Sequence, residues 1–285
     1  MKFQLKALAV AAVLAAALPA QAAIDTTASG NGEFVLTVLD RSGSISALFD
    51  LGINYSEFNV SGTSFVNSGV TNQGTTFSWD LTSGDYAQAW SLLSASANFT
   101  NVVYGIAAGD NLGAPGVGSR GYISTYLPQN STSLTTLALI TSAGNIDTYT
   151  GANGANSGIV FQNHRDNPLG ATAATPGGVE NGGSVATTGA AYGNGLYGVT
   201  SKINGTGPTS LGAIGADLGV VQVVSGASSF ATASQTVFGN GAKFNLSSNG
   251  ILTYSTIAAV PEADTWAMML LGLGFMGFVA RRKQA

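Results

Sequence analysis

The sequence has no cysteine and a single histidine among its 285 residues. The absence of thiols excludes disulfides, thiolate metal sites, covalent haem attachment and cysteine nucleophiles. A zinc site of the usual kind is also disfavoured, because one imidazole cannot fill it. The chain is nevertheless long enough to bury a hydrophobic core without disulfide cross-links. Any chemistry that needs an imidazole is therefore confined to His164.

Charged residues are also scarce: they make up 8% of the chain, against roughly a quarter in an average protein. Residues 23–259 carry twelve acidic and five basic side chains, a formal charge of −7. Because no basic patch is present to neutralise phosphates, a nucleic-acid partner is not expected. Disorder is not expected either, since it requires low hydrophobicity together with high net charge. The composition is instead rich in Gly, Ser, Thr, Asn, Val and Leu, which is typical of strands and tight turns.

The single histidine lies in the most polar stretch of the chain, residues 161–168. A Ser-His-Asp triad would have to use His164. No Gly-x-Ser-x-Gly nucleophile elbow accompanies it, and Asn167-Pro168 favours a solvated loop with a turn. We therefore assign no catalytic residue and expect the protein not to be an enzyme.

An aromatic and acidic cluster is the second candidate for chemistry. Asp80 and Asp85 flank a turn beside Trp79 and Tyr86, and such residues can stack on sugar rings and bind sugar hydroxyls. The simpler interpretation, which we prefer, is that Asp80 ends a strand and Asp85 caps a helix. A carbohydrate-binding module remains an alternative, and it requires the aromatic side chains, Trp90 included, to be exposed.

Calcium is the metal that the oxygen-rich loops would suit best. Asp110-Asn111 and Asp166-Asn167 offer oxygen ligands, but neither pair has EF-hand spacing. The Gly-Asn strings also lack the aspartates of the calcium-binding nonapeptide repeat. We therefore assign no ligands and expect no cofactor.

The N-terminus predicts export. Lys2 and Lys6 precede an apolar run over 7–18, and Ala20-Gln21-Ala22 provides a small-x-small cleavage pattern. Residues 1–22 are thus predicted to be a signal peptide that directs the chain to the secretion translocon and is cleaved after Ala22. A retained anchor is the alternative, although the apolar run is short for a span.

The C-terminus, residues 260–285, combines a short polar segment, an apolar segment and a basic end. The uncharged stretch 265–280 would form a helix of roughly 24 Å, against a hydrocarbon core of about 30 Å. Trp266 suits one interface, and Arg281, Arg282 and Lys283 suit the cytoplasmic side. We predict a transmembrane helix over about 265–280. A buried helix of a soluble domain would not explain the three cations.

Residues 260–283 resemble the PEP-CTERM sorting signal of exported bacterial proteins. The resemblance lies in Val260-Pro261-Glu262, in the apolar stretch 265–272 and in the closing Arg281-Arg282-Lys283. The chain departs from the usual pattern at Ala263, where proline is more common. The resemblance implies transient anchoring in the inner membrane, processing by an exosortase, and an association with extracellular polysaccharide and biofilm matrix. No Leu-Pro-x-Thr-Gly motif of a cell-wall sortase substrate precedes this tail.

The body, residues 23–259, is predicted to be one mostly antiparallel β domain of sandwich or jelly-roll type with one or two helices. A division into two smaller domains near residue 150 is left open. Apolar runs predict strands over 34–39, 44–49, 75–81, 99–106, 159–162, 197–203, 218–224 and 251–257. Asn240-Gly241 predicts a type I′ hairpin between 235–238 and 243–246.

Two helices are predicted within this body. The first begins at Ser83-Gly84-Asp85 and places Tyr86, Trp90, Leu93 and Ala97 on one face. The second covers 133–148, where Leu134, Leu137, Ala138 and Thr141 permit a helix although the β-branched residues favour a strand. The region 151–215 is predicted to consist mainly of long loops.

These observations together predict a non-enzymatic protein of a bacterial cell surface or extracellular matrix, exported and then sorted through its tail. The second hypothesis is a secreted carbohydrate-binding module, which needs an exposed, aromatic-lined groove. The third is a secreted hydrolase, which needs carboxylates or His164 to converge in a pocket.

Overall fold

The computed structural model describes residues 30–42, 45–58, 70–113, 116–127, 134–154, 159–161, 183–186, 211–258, 271 and 273. Several of the residues singled out above lie outside this part of the chain. They are Ala20 and Ala22, His164, Asp166-Asn167, the segment Val260-Pro261-Glu262-Ala263 and the basic end Arg281-Arg282-Lys283. Within the described ranges, none of the helices combines the length and the apolar character that crossing a bilayer requires.

The described strands pair antiparallel in one continuous sheet. In chain order they are β1 Glu33–Asp40, β2 Ile45–Asn54, β3 Thr76–Asp80, β4 Val102–Asp110, β5 Gly121–Tyr126, β6 Ile159–Phe161, β7 Gly183–Ala186, β8 Gly212–Ala213, β9 Asp217–Val224, β10 Ser234–Val237, β11 Lys243–Leu246 and β12 Ile251–Ser255. Their order across the sheet is β3-β12-β11-β9-β5-β4-β1-β2-β7-β6, with β10 beside β9 and β8 beside β4. Strands that precede and follow residue 150 therefore share the sheet.

The prediction of a mainly β, antiparallel fold with few helices is confirmed, but the two stacked sheets of a sandwich or jelly roll are not what the described strands form. The single sheet curls until it nearly closes, so that Trp79 Nε1 on β3 donates to the carbonyl of Leu51 on β2 at 3.0 Å. Strand twist accumulates across a wide sheet and brings its distant strands together in this way. Side chains from distant strands of this one sheet therefore pack together in a shared inner core.

Both faces of the sheet centre are buried. On β1, Phe34, Leu36 and Val38 face the inner core, whereas Val35 and Leu39 face an outer core. The side chains of a strand point alternately to the two faces, and a strand buried on both faces is apolar throughout. This explains why residues 34–39 are apolar except for Thr37, without the alternation of a half-exposed strand.

Three helices occur in the described part of the chain: α1 Tyr55–Phe58, α2 Ala87–Ser96 and α3 Thr136–Gly154. The first predicted helix is confirmed as α2, and it buries Ala89, Trp90 and Leu93. Its predicted cap is wrong. A 3-10 turn over Gly84–Tyr86 precedes α2, and the capping position is Tyr86, which makes no side-chain capping bond.

The second predicted helix is confirmed as α3, but its buried face is not the predicted one. Leu139, Ala143 and Ile146 are buried, whereas Leu137 and Thr141 are exposed. The helix start is fixed by the Thr136 amide, which donates to the carbonyl of Ala231 at 2.8 Å. This anchor sets the rotation of α3 over the outer face of the sheet.

The predicted hairpin at Asn240-Gly241 is half right. Both residues have the positive φ angles of a type I′ turn, 54° and 61°, and Ala242 donates to the carbonyl of Gly239. However, β10 and β11 do not pair with each other in this structure. Both strands pair antiparallel with β9, β10 at 221–224 and β11 at 217–219. They therefore run in the same direction along β9, and the turn between them does not form a hairpin.

Candidate functional site

The last strand of the body leads directly into the C-terminal tail. β12 lies between β11 and β3, and the two residues after it remain hydrogen-bonded to neighbouring turns. The Thr256 amide donates to the carbonyl of Thr75 at 3.0 Å, and the Ile257 amide donates to that of Asn240 at 2.8 Å. The Gly74 amide donates to the carbonyl of Ile257 at 3.0 Å. The backbone is thus fixed as far as Ile257.

The Thr256 side chain reinforces this attachment. Its hydroxyl donates to the carbonyl of Asn72 at 2.6 Å and accepts from the Thr75 amide at 2.9 Å. Asn240 Nδ2 also donates to the carbonyl of Thr71 at 2.6 Å, which joins the two turns. We call this group of six residues the exit clamp: Thr71, Asn72, Thr75, Asn240, Thr256 and Ile257. Sequence reasoning missed the exit clamp, because its side-chain partners are 169 to 184 residues apart along the chain.

Comparison with protein families identifies the segment beyond the exit clamp. The sequence profile described as the PEP-CTERM protein-sorting motif matches residues 259–283. The chain carries a PEP-CTERM motif. This match spans Val260-Pro261-Glu262-Ala263, which we predict to be the sorting residues, and the basic Arg281-Arg282-Lys283, and it confirms the resemblance drawn from the sequence. No curated protein and no solved structure matches the chain.

The PEP-CTERM motif implies an exported protein that is sorted through the membrane and processed by an exosortase. The motif begins two residues after Ile257, the last residue of the exit clamp. Glu262 is the fifth residue after Ile257, and five residue steps of fully extended chain span at most about 18 Å. Only Ala258 and Ala259 stand between Ile257 and the first residue of the short motif, Val260.

Replacing Thr256 with valine is expected to lower the free energy of unfolding by about 0.5–1.5 kcal/mol, because the Thr75 amide loses the hydroxyl and keeps only its longer bond of 3.3 Å to the Asn72 carbonyl, while side-chain volume is kept. Hydrogen exchange of the Thr75 amide should accelerate with it. Thr253→Val on β12 is the matched control, since its hydroxyl makes a single long bond of 3.4 Å. Equal effects of the two substitutions would show that the exit clamp does not hold the tail.

The tryptophans of the sugar-binding hypothesis are directed into the protein. Trp90 is 6% exposed and belongs to the inner core. Trp79 is half-buried, packs against that core, and uses its indole N–H internally on Leu51. Tyr86 is also half-buried, and its hydroxyl donates to the carbonyl of Asp50 at 2.7 Å. An aromatic platform made from these side chains is therefore not supported.

Asp80 ends β3, as predicted. Its carboxylate accepts from the Thr82 hydroxyl at 2.6 Å and from the Thr82 amide at 2.9 Å. These bonds, with one from Ser83, hold the pKa of the Asp80 carboxyl below its usual value. An acid that is ionised this readily is a poor proton donor at neutral pH, so Asp80 serves the turn and does not suit the general-acid role of a glycosidase.

The Asp110-Asn111 pair already faces a cation, the guanidinium of Arg120. Arg120 donates to Asn111 Oδ1 at 3.1 Å and to the carbonyl of Gly113. Burial raises the pKa of the Asp110 carboxyl, and the Leu112 and Asn31 amides and the Arg120 charge oppose that rise. Over the described ranges, no group of three acidic or histidine side chains is placed to hold a metal ion.

Proposed function

We propose that this protein is a non-enzymatic component of a bacterial cell surface or extracellular matrix, delivered by an exosortase and associated with exopolysaccharide. Residues 1–22 would direct export through the translocon and be removed after Ala22. The segment 265–280 would then anchor the chain in the inner membrane until the tail is processed. The observation that carries this proposal is the PEP-CTERM motif at residues 259–283.

The body supports a role as cargo that is folded before it is processed. Its final strand, β12, is held in the sheet by pairing with β11 on one side and β3 on the other, and by the exit clamp beyond it. Pulling on the tail would have to break this cooperative sheet, so the tail can be held or cut while the body stays intact. A low content of charged side chains also suits a surface that lies in a hydrated polymer.

The proposal is tested with the full-length chain and a chain that ends at Ala259, both expressed in a bacterium that contains an exosortase. We expect the full-length protein to reach the cell surface or matrix with its tail removed, as shown by fractionation and intact mass. The truncated chain should be exported but should fail to follow that route. Delivery of both chains to one place with the same C-terminal end would contradict the proposal.

A point variant makes this test sharper. Glu262→Gln removes the acid of the sorting residues, whereas Asp264→Asn removes the next acid along the chain and is the matched control. We expect the first substitution to leave unprocessed protein in the membrane fraction and the second to be processed normally.

A further inference from the structure

A polar groove lies at one end of the β1–β4 strand pair, where Asp40 pairs with Val102. It has a volume of about 350 Å³ and opens to solvent. Its lining consists of Arg41, Ser42, Thr100, Asn101, Val102, Val103 and Ala213. Sites for small ligands begin at roughly 300 Å³, so the groove has room for one sugar residue.

The walls of the groove are fixed by a buried carboxylate. Asp40 is 0% exposed, and its Oδ1 accepts from the amide and the hydroxyl of Ser42, each at 2.8 Å. Its Oδ2 accepts from the Asn98 amide at 2.7 Å. Asn101 Nδ2 then donates to Ser42 Oγ at 3.0 Å. The turn after β1 and the turn before β4 are thereby joined into one preorganised rim.

Arg41 is the available cation on this rim. The described part of the chain contains three cationic side chains, and the other two are occupied. Lys243 pairs with Asp217 at 2.6 Å, and Arg120 is bonded to Asn111 and Gly113. Arg41 makes no hydrogen bond or ion pair with the described residues and is exposed. Its guanidinium presents a planar fork of donors that matches a carboxylate.

The neighbours of Arg41 offer neutral hydrogen-bonding groups. The Thr100 hydroxyl and the Asn101 side-chain carbonyl have no partner among the described residues, and both side chains are exposed. An amide and a hydroxyl can bind sugar hydroxyls as donors or acceptors. Val103 and Ala213 supply a small apolar surface beneath them, which suits the C–H face of a sugar ring.

We propose that this groove binds a uronic acid residue of an acidic polysaccharide, with its carboxylate on Arg41 and its hydroxyls on Thr100 and Asn101. This inference rests on the proposed association with polysaccharide and names the place and the class of sugar. One guanidinium balances the single charge of a carboxylate but leaves a phosphate dianion undercompensated. The negative charge of the body, −7 over residues 23–259, disfavours general attraction of polyanions, so binding at this groove depends on the local contact with Arg41.

The test measures binding of the full-length chain, purified in detergent, to polygalacturonate and to the same polymer with its carboxylates methyl-esterified. We expect Arg41→Gln to weaken binding to polygalacturonate by roughly ten- to a hundredfold, the usual value of a charge-assisted contact. Lys243→Gln removes the same charge from an exposed ion pair and should change binding by less than about fivefold. The esterified polymer should bind the native chain and Arg41→Gln equally weakly.

Thr100→Val separates sugar recognition from charge, because it removes the hydroxyl and leaves Arg41 in place. It should weaken binding to polygalacturonate while leaving any weak binding of acetate unchanged. Equal binding of the acidic and esterified polymers, equal effects of Arg41→Gln and Lys243→Gln, or displacement by inorganic phosphate as effective as by glucuronate would each overturn the proposal.

The same variants distinguish this inference from the proposed function. Arg41 is remote in sequence from the PEP-CTERM motif, so Arg41→Gln should be exported and processed like the native chain. Normal sorting without selective binding of the acidic polymer would contradict the proposed uronic acid site and leave the proposed sorting route standing. Selective binding by a chain that is not sorted would contradict the proposed sorting route and leave the proposed uronic acid site standing.

Discussion

Replacing Phe58 with alanine is expected to lower the free energy of unfolding by about 3–5 kcal/mol, as for other fully buried aromatic side chains. Phe58 is 2% exposed. Its ring lies 4.9 Å from that of Phe34 and 5.1 Å from that of Tyr254, centroid to centroid. It also neighbours the rings of Phe77, Phe238 and Phe244. This one side chain therefore joins strands from both halves of the curled sheet.

Urea denaturation of the full-length chain measures this effect. Phe230→Ala is the matched control, because Phe230 is 86% exposed and its truncation should change stability by less than about 0.5 kcal/mol. A loss for Phe58→Ala as small as that for the control would show that the aromatic cluster does not hold the two parts of the sheet together.

Gly250→Ala is expected to be the second most damaging substitution, at about 2–5 kcal/mol. Gly250 has a φ of +81°, which costs an L-residue roughly 1–2 kcal/mol. A Cβ atom there would also lie 2.7 Å from Trp90 Cε2 and 2.8 Å from Thr82 Cγ2. Since Trp90 is buried and cannot move freely, overpacking adds about 1–3 kcal/mol.

Gly74→Ala isolates the backbone part of this cost. Its φ is +78°, almost the same, but no atom lies within 4 Å of the added Cβ. We expect Gly74→Ala to lose about 1–2 kcal/mol, so the difference between the two variants measures the collision with Trp90. Similar losses in thermal or urea unfolding would mean that the α2 contact is loose enough to absorb a methyl group.

The proximity of the PEP-CTERM motif to the folded body has a consequence for its processing. An enzyme that acts near Glu262 would work within about 18 Å of Ile257, beside an exposed side chain of the exit clamp, since Ile257 is 62% exposed. The body edge is therefore part of what such an enzyme must accommodate. A substrate with a long flexible linker would place no such demand on it.

Local patterns predicted most elements but not their partners. The strands at 34–39 and 218–224 and the helix beginning near Asp85 follow from apolar runs and helical spacing, which act over a few residues. β5 was missed, because Gly121 and the polar Ser124 and Thr125 interrupt its apolar pattern. The two hydroxyls are tolerated in this buried strand because Ser124 Oγ donates to the carbonyl of Thr125 and Thr125 Oγ1 accepts from the Ile106 amide, each at 3.0 Å.

The turn at Asn240-Gly241 shows where local reasoning ends. Its dipeptide sets two positive φ angles, and those are found. Whether the flanking strands pair with each other depends on β9, which is long enough to accept both β10 and β11 along one edge. That choice is made by a partner outside the turn, so no property of the turn could have predicted it.

The sorting route and the structural class of this protein can be read from its linear sequence. The PEP-CTERM motif is recognised from the succession of a short polar segment, an apolar segment and a basic end. A β-rich body is expected from composition and apolar runs. Three features arise only when the chain folds: the sheet is single and nearly closed, Trp79 and Trp90 turn inward, and Arg41, which has no partner among the described residues, lies beside a preorganised groove. They depend on contacts between residues far apart in the chain, because such contacts are fixed by how the sheet curls and not by any local pattern.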